Sequence, residues 1–222
     1  MIHILTLKVG DKYSSQYINN LYRGIKKNTT VDFKMYCYTE DPKDIVDDVE
    51  IIELANPNLL KLQWHKIQFH SKNFAGIKNG ERCLILDIDW IITGNLDDIL
   101  SFDIKPKHFG CFERWWSNRL EWCSINGGFQ MYRMGDTEYL HRIFFADEDF
   151  SGGASAYMMQ NVLEKQNGYY FLDSKPITIH SKDHRPAYST DGDYFSKPNC
   201  EDIFDVIYNV FNELDPKAYP QL

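Results

Sequence analysis

The run Cys83-Leu84-Ile85-Leu86, followed by Asp87-Ile88-Asp89-Trp90-Ile91-Ile92, constrains this chain more than any other stretch. Apolar residues at successive positions cannot offer one face to water, so they read as a strand covered on both sides, as in the centre of an α/β sheet. The strand ends on two carboxylates. Two like charges at the end of a buried strand repel unless something positive offsets them. Carboxylate oxygens are hard ligands suited to Mg2+ or Mn2+, and ligands of open α/β sheets bind just outside the carboxyl ends of strands. The alternative is that Asp87 and Asp89 end the strand and cap the turn before Gly94-Asn95-Leu96-Asp97-Asp98.

The flanking pattern supplies the rest of such a sheet. Ile2 to Leu7 reads as a first strand, with a loop over Lys8 to Tyr13 and a helix cap at Ser14 or Ser15. Tyr17, Leu21 and Ile25 then form one apolar stripe, and Lys26 and Lys27 a basic last turn. Phe33 to Tyr38 alternates as a second strand, so the chain opens with a β-α-β unit and parallel strands. A short third strand is expected over Glu50 to Leu54 and a helix over Leu60 to Phe74, carrying Lys66. Beyond the carboxylates, strands are expected at His108 to Phe112, after Asn126, at Tyr169 to Leu172 and at Pro176 to Ile179. Helices are expected at Asp136 to Phe145, at Ala154 to Lys165 and near the C-terminus around Ile203 to Leu214. Asn126-Gly127-Gly128 permits positive φ and close approach of a ligand, and taken alone reads as a hairpin turn. Trp115 and Trp116, adjacent in a polar loop, read either as ordinary packing or as a platform for a sugar.

Composition narrows the function classes. At 222 residues and 43% hydrophobic the chain can bury one good core, and a single domain over 1–222 is expected. A net charge of −8 excludes the basic footprint of a standing nucleic-acid partner and a polybasic membrane anchor. No window is apolar for long enough to span a bilayer, and the N-terminus lacks a signal-peptide pattern, so the cytoplasm is the expected compartment. The cysteines are odd in number and without metal-site spacing, which favours reduced, buried thiols.

The stretch from Leu84 to Ile99, with Asn126 to Tyr132 and His180 to Pro186, resembles the glycosyltransferases of the GT-A fold, especially family 8 and its relatives. The resemblance covers the chain to about Tyr188. It implies an α/β fold, a single Rossmann-like GT-A domain whose mostly parallel central sheet is flanked by helices. It implies a metal-dependent enzyme that moves a sugar from a nucleotide-sugar, a UDP-sugar by analogy, to a glycan or other hydroxyl acceptor, with retention. In that pattern Asp87 and Asp89 hold Mn2+ or Mg2+ together with His180, with His184 as the fallback ligand. Lys66 and Arg185 face the diphosphate, while Tyr13, Tyr38 and the backbone of Thr6, Leu7 and Lys8 frame base and ribose, and Ile88 and Gly127 border the donor. Asn126 contacts a sugar. The family's "D-Q-D" step is replaced by Ala156-Tyr157-Met158-Met159-Gln160-Asn161, leaving Asp147, Glu148, Asp149 and Gln160 as candidates to position or assist the acceptor. The compactness also resembles small glycosyltransferases of large algal DNA viruses, which would put the chain in host cytoplasm.

Asp87-Ile88-Asp89-Trp90-Ile91-Ile92 also resembles the opening motif of haloacid-dehalogenase-type phosphohydrolases, though in those enzymes it sits on the first strand of the chain. A sugar-nucleotide-forming nucleotidyltransferase would need a glycine-rich basic loop after Leu7, which is missing. A nucleotide-sugar-binding module without turnover is the remaining reading.

Overall fold

Every residue of the first strand, β1 (Ile2–Lys8), is buried, because β1 has a parallel strand on each side and a packed layer on each face. The computed structural model describes residues 1–92, 94–113, 125–146, 170–171, 177–181 and 184–188. On one side β1 pairs with β2 (Phe33–Thr39), and β2 with β3 (Glu50–Glu53). On the other side it pairs with β4 (Arg82–Leu86). Beyond β4 lie β7 (Ile125–Arg133), β6 (Gly110–Glu113) and β8 (Tyr170–Phe171), giving the order β3-β2-β1-β4-β7-β6-β8. All but β7 run the same way, so the sheet is mostly parallel as expected. A second sheet contains β5 (Trp90–Ile92), β9 (Ile177–Ser181) and β10 (His184–Tyr188), all antiparallel.

The two-residue period of the strands sorts the core into two layers. Ile2, Ile4, Met35, Cys37, Leu84 and Leu86 point to one face, where they meet Ile18, Leu21 and Ile25 of α1 (Ser15–Lys27). Leu5, Leu7, Tyr36, Cys83 and Ile85 point to the other, against Trp64, Ile67 and Phe69. Ser14 is the N-cap of α1 in extended geometry, without a side-chain capping bond, and the last turn is basic as the sequence predicts. The short helix α2 (Asp97–Ser101) follows the second-sheet strand, and α3 (Glu138–Ala146) follows β7. Cys37, Cys83 and Cys111 are buried free thiols, and burial raises Cys37 and Cys83 to about 12. Among the described residues no helix is long and apolar enough to cross a membrane.

Two expectations change. The segment expected as one helix over Leu60 to Phe74 is two 3-10 helices, Leu62–His70 and Phe74–Gly76, with left-handed residues at Asn73 between them and at Ala75 inside the second. Its apolar spacing explains this: Trp64, Ile67 and His70 recur every third residue and so share one face of a three-fold helix. Beyond the carboxylates, Trp90 to Ile92 joins the second sheet, pairing with β9. Asn126-Gly127-Gly128 lies inside β7 rather than in a hairpin turn. The helix expected at Ala154 to Lys165, the C-terminal helix and the Trp115-Trp116 loop lie outside the described residues.

The 3-10 segment is pinned by tertiary contacts. Trp64 stacks on Phe144 of α3 at 5.1 Å between centroids, His65 meets the Pro57 carbonyl at 3.0 Å, and the Tyr132 hydroxyl donates to the Phe69 carbonyl at 2.7 Å. His70 is buried between Thr137 Oγ1 at 2.8 Å and Gln130 Oε1 at 3.0 Å. Burial holds its pKa down at about 4. Above the ordinary value near 6.5 both folded and unfolded forms are neutral and the site contributes nothing to pH dependence. As pH falls from about 6.5 towards 4 only the unfolded chain gains the proton, so stability drops by about 3 kcal/mol in total and then levels. Urea unfolding across that interval should show this slope in the native chain and a shallower one in His70→Gln.

Candidate active site

Asp87-Ile88-Asp89 is the link by which the chain passes from the end of β4 to β5, that is, from one sheet to the other. The Asp87 amide is tied to the Gly128 carbonyl at 2.9 Å, continuing the β4–β7 pairing by one step. This fixes the backbone under both carboxylates. Asp87 Oδ1 forms an ion pair with Lys66 Nζ, reaching over from the 3-10 helix. Asp89 Oδ2 accepts a hydrogen bond from the Tyr13 hydroxyl at 3.2 Å. Protein crowds Asp89 although part of it opens to the cleft. Desolvation, then the neighbouring Asp87 charge, raise its pKa well above the usual carboxylate range, against the lowering pull of Lys66.

The two carboxylates floor a cleft of about 310 Å³ lined also by Leu7, Val9, Lys12, Tyr13, Leu62, Gln63, Lys66 and Ile88. Its walls come from the loop after β1 and from the start of the 3-10 helix, so the cleft stands at the carboxyl ends of β1 and β4. Lys12 and Lys66 bring positive charge to it, and Leu7, Val9 and Leu62 an apolar wall.

Gly128 faces the carboxylates from β7. A Cβ there would lie 2.7 Å from Asp87 Oδ2 and 3.1 Å from both Asn126 Oδ1 and Trp90 Nε1. The glycine therefore serves close approach, not positive φ. Asn126 is buried; its Oδ1 accepts the Gly128 amide at 2.8 Å, and its Nδ2 is buried without a partner among the described residues.

The structure thus gathers Leu7, Tyr13, Lys66, Asp87, Ile88 and Asp89 of the expected residues around one cleft, with Asn126 and Gly127 beside it on β7. The side chains of three others lie apart from the cleft lining. Thr6 is fully buried with its hydroxyl unpartnered among the described residues. Lys8 is buried and turned to Asp41, whose carboxylate it meets at 3.2 Å. Tyr38 packs edge-on against His65, Phe69 and Phe74 instead of lining the cleft. Alternate side chains of a strand leave by opposite faces, so of the stretch 6 to 8, expected to contribute its backbone, Leu7 is the one whose side chain lines the cleft. His180 and Arg185 lie on β9 and β10, and His184 opens β10. Asp147, Glu148, Asp149 and Gln160 lie outside the described residues. The sequence reading missed Val9, Lys12, Leu62 and Gln63; the loop directly after β1 was the available signal, since it too follows the carboxyl end of a central strand. Among the described side chains no three His, Cys, Asp or Glu residues form a metal-binding group.

The architecture has solved counterparts. The chain superposes on the galactosyltransferase LgtC, crystallised in complex with donor and acceptor sugar analogues, with a TM-score of 0.55 at 9% identity, covering 79% of this chain and 74% of that one. This chain has the GT-A glycosyltransferase fold. The apo form of the glycosyltransferase GlyE from Streptococcus pneumoniae TIGR4 matches with a TM-score of 0.52 at 12% identity over 75% of this chain. A further GlyE structure matches at 0.52 and 11% identity over the whole of this chain. The chain spans about half of GlyE, 44% and 54% in the two structures. No family model matches the sequence, and no curated protein matches it.

The contact at Gly128 yields a direct test. In Gly128→Ala the new methyl group displaces the Asp87 carboxylate or the strand behind it, an overpacking cost of about 1–3 kcal/mol. A lowered urea midpoint with unchanged slope is the expected result; an unchanged midpoint would mean that Asp87 swings clear freely.

Proposed function

We propose that this chain is a metal-dependent glycosyltransferase that takes a sugar from a nucleotide-sugar, a UDP-sugar in the first instance, to a hydroxyl of a glycan or similar acceptor, with retention. The observation that carries this reading is the pairing of Asp87 and Asp89 at the floor of a cleft that also holds Lys12 and Lys66. The GT-A fold supports it independently.

The residues present fit a divalent cation. Two hard carboxylates line one cleft, and burial together with the neighbouring Asp87 charge raises the proton affinity of Asp89, a pairing that a bound cation would offset. Asp87 and Asp89 would hold the ion. The register of the second sheet favours His180 over His184 as a third ligand: β5 and β9 pair Trp90 with Ile179, so the next step along both strands leads to Asp89 and His180. When bound, Mn2+ or Mg2+ supplies positive charge that stabilises the departing diphosphate.

The chain's own groups do the rest. Lys66 lies where it can pair with a phosphate oxygen as well as with Asp87, and Lys12 adds charge at the cleft wall, both stabilising the leaving group in a site sheltered from water. Tyr13 orients Asp89 and offers its ring to the base, with Leu7, Val9 and Leu62 as the apolar surface beside it. Retention needs no dedicated carboxylate base, since a leaving phosphate oxygen can take the acceptor proton.

The experiment is a screen of UDP- and GDP-sugars with Mn2+, reading released nucleoside diphosphate. Release that disappears with chelator and falls by about 100-fold or more in Asp89→Ala, roughly 3 kcal/mol of transition-state stabilisation, is the expected outcome. Metal-dependent UDP binding without release from any sugar would show a binding module instead.

A further inference from the structure

Lys66 is held at Asp87 by a support that runs back into the core. Its Nζ reaches the Gly127 carbonyl at 3.4 Å as well as the Asp87 carboxylate. That carbonyl also accepts a hydrogen bond from Gln130 Nε2 at 2.9 Å. Gln130 is buried, and its Oε1 meets His70 Nε2 at 3.0 Å, while His70 Nδ1 meets Thr137 Oγ1 at 2.8 Å. The directions are determined. Gln130 Oε1 only accepts, so His70 carries its proton on Nε2 and its Nδ1 accepts from the Thr137 hydroxyl.

The Gly127 carbonyl is available for this because β7 departs from regular pairing there. From Gln130 to Ile125 β7 advances five steps while β6 advances two, from Cys111 to Glu113. The extra residues fall among Asn126 to Phe129 and leave the pairing with β6, although Gly128 still bonds to Asp87 on the other side, and two of them are glycines with no side chain to lock the bulge. Lys66 itself stands on a 3-10 helix, whose main-chain bonds are weaker than those of an α-helix.

We infer that His70, Gln130 and Thr137 are positioning residues that set the Gly127 carbonyl and, through it, the ammonium group of Lys66 against Asp87. The chain Thr137 to His70 to Gln130 replaces the missing ladder bonds with side-chain bonds drawn from α3's leading edge, the 3-10 helix and β7, all buried from water. Removing Gln130's amide frees the carbonyl to turn, and Lys66 loses one of its two anchors. The geometric claim stands by itself; its effect on nucleotide binding rests on the transferase reading.

The test uses the full chain and lysine acetylation at one pH, with site-by-site rates from peptide mass spectrometry. Loss of one buried hydrogen bond, worth about 1–1.5 kcal/mol, should speed labelling of Lys66 about tenfold in Gln130→Met. Lys8, a buried lysine held elsewhere by Asp41, should keep its native rate. Thr137→Val should act in the same direction and Thr137→Ser, which keeps the hydroxyl, should restore the native rate; this pair decides the matter if Gln130→Met does not fold. Unchanged Lys66 labelling, or Lys8 accelerating in step with it, would overturn the inference. Calorimetric titration with UDP and Mn2+ separates the two claims. Absence of binding to the native chain would remove the transferase reading while the labelling result still stands. Binding weakened about tenfold in Gln130→Met supports the positioning role, and equal binding would count against it.

Discussion

Two carboxylates brought side by side at the end of a buried strand are the constraint from which most of this structure follows. β4 must be covered on both faces to be stable, and it delivers Asp87 and Asp89 to the floor of a cleft, where protein crowds Asp89 and 32% of the Asp87 side chain is exposed. Repulsion there has to be met by a cation, and the chain meets part of it with Lys66. That requirement explains the 3-10 helix, whose period of three buries Trp64, Ile67 and His70 while leaving Lys66 to point along the cleft. It also explains the glycine at 128, since any side chain would contest the space of the Asp87 carboxylate.

The side-chain hydrogen bonds of this molecule divide by purpose. His3 meets Tyr36 at 3.1 Å and Glu81 at 3.3 Å, far from the cleft, and serves the sheet. Asp97 accepts from Thr29 Oγ1 at 2.6 Å and from the Thr30 amide at 2.7 Å, which pulls its pKa down to about 2 and secures the loop after α1. The chain through His70 and Gln130 differs from both because its end lies at Lys66, in the cleft.

Much of this was legible from the residues alone. The β-α-β opening, the two-sided burial of β4 and its carboxylate end follow from local pattern, and local pattern is what a sequence displays. What was not legible depended on distant partners. Trp90 to Ile92 is as apolar as β4, and only pairing with Ile177 to Ile179 assigns it to another sheet. Asn126-Gly127-Gly128 looks like a turn until β4 and β6 flank it, at which point the glycines serve contact with Asp87 and a bulge. Tyr38 and Leu7 occupy neighbouring strand ends, and only the facing of each side chain separates packing from lining. Lys66 was visible as a candidate, whereas Gln130 was not, because a glutamine within a strand carries no signal of its own.

The order of strands in the main sheet has a consequence for how the molecule comes into being. β1 and β2 can pair early, since a single helix joins them, whereas β1 and β4 are neighbours in space but separated in sequence by α1, β2, β3 and the whole 3-10 segment. Closing that long loop carries the larger entropic cost and belongs to a later stage of folding. Tyr13 and Asp89 meet only across this late junction. The charged cleft is therefore assembled at the end of folding, and a partly folded chain carries its aspartates apart, in water, where their repulsion costs little.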